Sequence, residues 1–172
     1  MSLAPGTGAL RTAPAGVQAP DGGRAPTDDT RDRVRPNAIW RWGAAGVVLV
    51  ALGARLIGVN SGLWIDEIYS LVHSFRAPVR GILTEYWADN HHPLYALLAH
   101  ASRAAFGEAP WSVRLPAVLF GVAAIPALLA LGVRVASRGE ALLASLLLTV
   151  SYHHVWFSQN ARGYSAIAFF AT

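Results

Sequence analysis

The stretch that decides the fold runs from residue 111 to residue 135 and reads WSVRLPAVLFGVAAIPALLALGVRV. At about 1.5 Å per residue, a helix of this length crosses a hydrocarbon core about 30 Å thick. Arg134 and Arg138 stand at its end, and basic residues gather on the cytoplasmic side of membrane spans. The stretch therefore predicts a transmembrane helix that enters the membrane from outside and ends in the cytoplasm.

The composition of the whole chain also indicates a membrane protein. Of its 172 residues, 53% are hydrophobic and only 14% are charged, with no cysteine, whereas soluble domains carry about 25% charged residues. Without cysteine there is neither a disulfide framework nor a thiolate metal site. The basic residues form no face interleaved with aromatic side chains, which argues against a nucleic-acid partner. The lipid bilayer is the partner that the composition predicts.

The first part of the chain differs from the rest. Residues 1–37 are rich in Pro, Gly, Ala, Thr, Asp and Arg and have almost no large apolar side chains, which predicts a disordered tail. The early apolar region of a signal peptide is missing from them, so the tail is expected to stay in the cytoplasm. Residues 38–59 then predict the first span, which follows a group of arginines and emerges outside.

Two shorter segments between these spans predict helices on the outer membrane surface. Within 63–76, apolar residues recur at helical spacing, with Trp64 as an interface anchor. The segment 93–107 would reach only about 21 Å as a helix, which is too short to cross. Because 111–135 is expected to run inward, both ends of 93–107 must lie outside.

The remaining apolar runs complete the predicted architecture. Residues 140–157 predict a span running outward, and 164–172 predict the start of a fourth. The predicted fold class is all-α: a polytopic helical protein of the plasma membrane, with a cytoplasmic N-terminus and an outer-face catalytic loop that carries interfacial helices. Since 164–172 lacks a terminating signal, we expect residues 38–172 to be the N-terminal part of a longer module.

Three polar clusters should meet on the outer side of this arrangement. They are Asp66-Glu67, then Asp89-Asn90-His91-His92-Pro93, then the run from Ser158 to Tyr164. Each cluster also has a plain structural interpretation. The acidic pair suits a helix start, where the helix dipole favours carboxylates. The histidines suit an interfacial turn, and Arg162 and Tyr164 suit a helix end and an aromatic belt.

Together the clusters supply the groups needed for transfer from a lipid-linked phosphate donor. A carboxylate can take the proton of an acceptor hydroxyl. An arginine can neutralise a leaving phosphate through bidentate hydrogen bonds, and a divalent cation held by carboxylate and imidazole would add charge stabilisation. His153 and His154, by contrast, are expected to be polar tips near the outer interface.

Four motifs in order resemble the N-terminal part of a known family. They read LWIDE at 63–67, DNHHPLY at 89–95, WSVRLP at 111–116 and SQNARGY at 158–164. In this order and spacing they resemble GT-C glycosyltransferases, in the bacterial branch of the protein O-mannosyltransferase and aminoarabinose lipid A transferase superfamily. The resemblance covers about residues 39–172. It implies transfer of a sugar from a polyprenyl-phosphate donor to an acceptor hydroxyl of a protein, lipid or glycan on the outer face.

The resemblance also implies roles for individual residues. It makes Asp66 and Glu67 the catalytic residues, with Asp66 matching the catalytic Asp of the family, and it makes Arg162 and Tyr164 the residues that bind the donor phosphate. His91, with Glu67, is the candidate ligand set for a divalent metal cation. The residues with structural or site-supporting roles are Asp89, His92, Pro93 and Arg114. The family pattern has a proline where this chain has His92. Because family members are several times longer, the chain alone is expected to be inactive.

A non-enzymatic membrane protein is the alternative. A transporter or assembly subunit could use the same outer clusters to bind an ion or a partner. A transporter is expected to place ionisable residues or broken helices at the middle of the membrane. The predicted spans are free of such residues inside and the polar residues crowd one interface, which favours the enzyme.

Overall fold

A computed structural model describes residues 38–86 and 91–172 of the chain. Within these ranges the secondary structure is helical, without a strand, which confirms the predicted all-α class for the described part. The tail 1–37 and the candidate residue Asp89 lie outside the described residues. The helices are α1 (Ala38–Leu56), α2 (Ile65–Ser70), α3 (Val79–Thr84), α4 (Pro93–Phe106), α5 (Pro110–Val135), α6 (Arg138–Val150), α7 (Tyr152–Ser158) and α8 (Tyr164–Phe170).

Two of the described helices, α1 and α5, are long and apolar enough to cross a membrane. Helices α6 and α7, of 13 and 7 residues, are each too short to cross and pass the same test only as a pair, and their axes are bent by 61°. The predicted span 140–157 is therefore not one straight helix. The break lies at Ser151, whose extended backbone ends α6 and begins α7. The β-branched pair Thr149-Val150 precedes it, and such residues are weak helix formers.

Helix α5 lies at the centre of the described part and contacts α1, α4, α6, α7 and α8. Small buried residues on its surface let the neighbours approach closely, as is common between membrane helices. At the α5–α6 turn, a Cβ added to Gly132 would lie 2.7 Å from the Cβ of Ala141. Ser137 and Glu140 then cap α6 reciprocally, each side chain bonding the other's backbone N–H.

The segment from α2 to α4 packs on the first half of α5. Its apolar core joins Phe75, Ile82 and Tyr95 to Val113 and Ala117. The helix predicted for 63–76 is observed without interruption over 65–75, and it changes from α-helical to π-helical pitch at Leu71–Phe75. Pro78 follows that segment and serves as the N-cap of α3, a helix that was not predicted.

Helix α4 is tied along its length to residues 74–76. Ser74 lies beside His91 just before the helix, and the carbonyl of Phe75 accepts from His100 and Arg103. Arg76 binds Glu108 just after the helix with two hydrogen bonds. The helix begins with Pro93 in its first turn and ends at Gly107, whose φ of +86° suits glycine.

Candidate functional site

A buried ion pair between Arg114 and Glu67 lies beneath the site. The Arg114 guanidinium donates to both oxygens of the Glu67 carboxylate, over 2.9 Å from Nε to Oε1 and 2.6 Å from Nη2 to Oε2. Each residue is only 1% exposed. The other Arg114 N–H groups bind the carbonyls of Val59, Ser61 and Gly62. The pair is therefore bidentate and the arginine is satisfied, which is the condition for a buried ion pair to persist.

Two backbone groups complete the coordination of Glu67. The Ala161 N–H donates to Oε1 over 2.6 Å and the Trp64 N–H donates to Oε2 over 2.9 Å. Burial alone would raise the pKa of this carboxyl, but the hydrogen bonds from Arg114, Ala161 and Trp64 outweigh burial and hold the pKa below its usual value. Glu67 is therefore a charged residue that connects α2, α5 and the 159–163 loop.

Asp66 and Arg162 form a second, more exposed ion pair next to the buried Glu67–Arg114 pair. The 159–163 loop is bonded to Glu67 through the Ala161 N–H, and the same loop carries Arg162. The buried hydrogen bond therefore sets the position of the exposed Asp66–Arg162 ion pair. The Asp66 side chain is 60% exposed and that of Arg162 is 20% exposed. A solvent-accessible carboxylate and an arginine thus share one opening, although 96 positions separate them in the chain.

The two histidines of the second cluster lie on the same side as Arg162. His91 Nε2 is 2.9 Å from the Ile82 carbonyl and its Nδ1 is 3.5 Å from the Ser74 hydroxyl. His92 packs edge-on against the Tyr164 ring, with 5.7 Å between centroids. A small cavity of about 20 Å³ is lined by both histidines and Arg162. Burial and the charges of Arg162 and His91 lower the pKa of His92, which favours its neutral imidazole.

The described residues do not fit the predicted metal ligand set. Both Glu67 oxygens are engaged by N–H donors, and neither nitrogen of His91 is free of a protein neighbour. Within 38–86 and 91–172, no group of three His, Asp or Glu side chains is arranged to hold a cation.

A second buried polar cluster, which was not predicted, lies between α1 and α7. Arg55 donates from Nη2 to His154 Nδ1, from Nε to the Ser158 hydroxyl and from Nη1 to the Ala51 carbonyl. His154 is only 9% exposed, so the expectation that it is a polar tip at the interface is wrong. Gln159 adds hydrogen bonds to three carbonyls at the end of α1. These bonds fix the start of the 159–163 loop.

The structure thus brings together residues of all three predicted clusters. Arg162 pairs with Asp66 and shares a small cavity with His91 and His92, while Glu67 lies buried next to Asp66. Pro93 begins the helix that follows the histidines. Arg114 binds Glu67, and Tyr164 packs between His92 and Phe157. Comparison of the chain with family models, with curated proteins and with solved structures finds no match.

Proposed function

We propose that the chain forms the donor-binding and catalytic part of a membrane-embedded transferase. It moves a sugar from a polyprenyl-phosphate donor to an acceptor hydroxyl, as the resemblance to GT-C glycosyltransferases implies. The observation that carries this proposal is the accessible Asp66–Arg162 pair, held above the buried Glu67–Arg114 pair at an edge of apolar helices. It combines a base and a phosphate-binding cation with a surface suited to lipid.

The reaction uses these two exposed residues in different roles. The acceptor oxygen attacks the anomeric carbon while the bond from that carbon to the phosphate oxygen breaks. The electron pair leaves with the phosphate, whose charge Arg162 binds, and Asp66 takes the hydroxyl proton. In the free protein Asp66 and Arg162 pair with each other. A donor phosphate competes for Arg162, which frees Asp66 to act as the base.

Glu67 has a positioning role in this scheme. Its carboxylate is engaged by Arg114 and Ala161 and has no surface left for substrate. It holds the 159–163 loop so that Arg162 lies opposite Asp66. Arg114 is the buried counterion that keeps Glu67 ionised. The acidic pair thus divides into one residue that acts on substrate and one that builds the site.

The proposed topology places the site outside the membrane core. In it α1, α5 and the bent α6–α7 pair cross the plasma membrane, the N-terminus is cytoplasmic, and α2 to α4 lie in the outer interface. The contacts of residues 74–76 with both ends and the middle of α4 support this, because they keep that helix in one layer with the site. The arginines at 134 and 138 give the direction of α5.

A transporter is the second candidate, and one observation favours it. The described bundle contains a buried ionisable pair, Arg55 with His154, beside a broken helix, and transporters commonly combine these two features. Arg55, however, is the penultimate residue of α1. The pair thus lies near the end of that helix, on the side of the Asp66–Arg162 opening, which agrees better with the transferase.

The test of the proposal is turnover of a lipid-linked sugar by the full-length protein in nanodiscs. Release of polyprenyl phosphate from a panel of labelled polyprenyl-phosphate sugars is measured for the wild type and for Asp66→Asn. Loss of a general base lowers the rate about 10²- to 10⁴-fold, whereas donor affinity should not fall, because the substitution leaves Arg162 without a competing carboxylate. Equal turnover by a correctly folded Asp66→Asn protein contradicts the proposal. Coupled ion flux in liposomes, unaffected by Asp66→Asn, would support the transporter.

A further inference from the structure

We propose that His92 binds the donor phosphate through its Nε2 atom. The residue lies between the small cavity that Arg162 lines and a neighbouring apolar groove. This inference rests on the proposed function, and it concerns a residue where the chain departs from the family pattern. A proline at this position has no side-chain hydrogen-bonding atom. His92 would therefore add a contact to the phosphate that the pattern does not provide.

The first observation is the position of His92 between two cavities. On one side lies the small polar cavity that Arg162 and His91 line. On the other side lies an open groove of about 490 Å³, walled by apolar residues of α4 and α8 such as Leu94, Ile167 and Phe170. Both cavities include His92 in their walls. A lipid phosphate with its head at Arg162 and its chain in the groove must pass this imidazole.

The second observation is that the Nε2 atom has no partner. It is buried and makes no hydrogen bond among the described residues. Buried side-chain nitrogens nearly always have a partner, and an unsatisfied one costs about 1–3 kcal/mol. A ligand oxygen at this position would satisfy it. The neighbouring His91 differs, since its Nε2 lies 2.9 Å from a carbonyl oxygen.

The third observation is that the imidazole is held in place from two sides. A Cβ added to Gly163 would lie only 3.1 Å from His92 Cγ and 3.2 Å from His92 Cβ, so glycine is what allows the close approach. Tyr164 packs edge-on against the same ring. Gly163 and Tyr164 directly follow Arg162 in the chain, so the segment that carries this arginine also holds the histidine in place.

The charges around His92 favour an anion. Arg162 and His91 are the charged or titratable groups that lower its pKa, and Tyr164 and Tyr95 are the other titratable groups that face the two cavities. The carboxylates close to this set are Asp66, which Arg162 neutralises, and Glu67, which Arg114 neutralises. A neutral imidazole with its proton on Nε2 donates one hydrogen bond to a phosphate oxygen, while Arg162 supplies the positive charge.

The experiment compares three variants of the full-length protein in nanodiscs. His92→Phe keeps the ring against Tyr164 but removes both nitrogens. His92→Gln places a donor near the Nε2 position, and His92→Asn places one near Nδ1 instead. The probes are farnesyl phosphate, farnesol and inorganic phosphate, and the measurement is their dissociation constant by isothermal titration calorimetry.

We expect His92→Phe to weaken farnesyl phosphate binding by about tenfold or more, the usual effect of losing a hydrogen bond to a charged group. Farnesol binding should not change, and His92→Gln should restore phosphate binding better than His92→Asn. Unchanged farnesyl phosphate binding by His92→Phe overturns the inference. An equal loss for farnesol also overturns it, because His92 would then act by packing alone. Inorganic phosphate bound as tightly as farnesyl phosphate would identify a site for free phosphate instead of a lipid.

These binding measurements require no sugar transfer, so the two proposals can fail separately. Absence of turnover together with the expected His92 pattern would reject the transferase and keep the phosphate contact. Turnover that depends on Asp66, with normal binding by His92→Phe, would keep the transferase and reject the contact.

Discussion

Asp66 and Glu67 are neighbours in the chain, yet they lie in opposite environments. Successive residues of a helix point about 100° apart, so α2 directs Glu67 into the bundle and Asp66 toward the opening. The buried carboxylate is neutralised by Arg114 and the exposed one pairs with Arg162. At the scale of single residues, two identical functional groups therefore have different chemistry because of their surroundings.

Arg162 should contribute to donor binding as well as to turnover. Its guanidinium can bind a phosphate with two parallel hydrogen bonds. Arg162→Ala should weaken donor binding by about 1.5–3 kcal/mol, the usual range for a hydrogen bond to a charged group. Arg162→Lys keeps the charge but not the planar pair of donors, so its effect should be intermediate. Donor titration of the full-length protein measures both, and unchanged affinity in Arg162→Ala would exclude Arg162 as the phosphate ligand.

Glu67 should stabilise the fold in a pH-dependent way. Folding lowers its pKa below the usual 4.5, so its stabilising contribution is present above pH 4.5 and decreases as the pH falls below that value. Glu67→Gln leaves Arg114 buried without a counterion, a change that typically costs about 3–5 kcal/mol. The difference in unfolding temperature between wild type and Glu67→Gln should therefore be large at pH 7 and smaller at pH values below 4.5.

Glu108→Gln is the matched control for this prediction. Glu108 pairs with Arg76 and Arg103 at the surface, where water screens the charges. Its loss should lower the unfolding temperature much less than the loss of Glu67. Equal effects of the two substitutions at pH 7 would show that burial of the Glu67–Arg114 pair has no energetic importance.

At the scale of helices, α7 is joined to α1 and α5 by close packing. A Cβ at Gly121 of α5 would overlap the Ser158 side chain and would lie 3.1 Å from Arg55 Nε. Gly121→Ala should therefore destabilise the protein by about 1–3 kcal/mol, the usual range for overpacking. Thermal unfolding in detergent measures this effect.

The control for Gly121→Ala is Gly53→Ala in α1, where a Cβ meets nothing within 4 Å. There alanine should stabilise the helix by up to about 1 kcal/mol, because it has the higher helix propensity. If both variants were stabilised, the close contact among α1, α5 and α7 would not exist as described.

The sequence predicted the long helices and α4, but it did not predict α3, the break between α6 and α7 or the contacts between helices. Hydropathy located α1 and α5, and Pro93 with Gly107 marked the ends of α4, because these signals are local. The break at Ser151 has no Gly or Pro to indicate it. The Arg55–His154 contact joins residues 99 positions apart, and no periodicity in one helix specifies such a partner. The order of the motifs led to the hypothesis that Asp66 and Arg162 share one site. It could not separate the role of Asp66 from that of Glu67.

At the scale of the whole molecule, the proposed topology can be tested by single-cysteine labelling, since the chain has no native cysteine. Cysteines at Thr84 and Phe106, which are exposed before and at the end of α4, should both react with an impermeant reagent added outside. A cysteine at Gly139, beyond α5, should react only after the cells are opened. Reaction of Thr84 but not Phe106 from outside would mean that α4 crosses the membrane.

The contacts of the Glu67 carboxylate can form only in a certain order during synthesis of the chain. Its partners Arg114 and Ala161 follow it by 47 and 94 positions. At about 5–20 residues per second, the ribosome needs roughly 5–20 s to reach Ala161 after Glu67. During that interval the Glu67 carboxylate lacks the hydrogen bond from the Ala161 N–H. The opening between Asp66 and Arg162 therefore forms only after the 159–163 loop has been made and has reached back to α2 and α5.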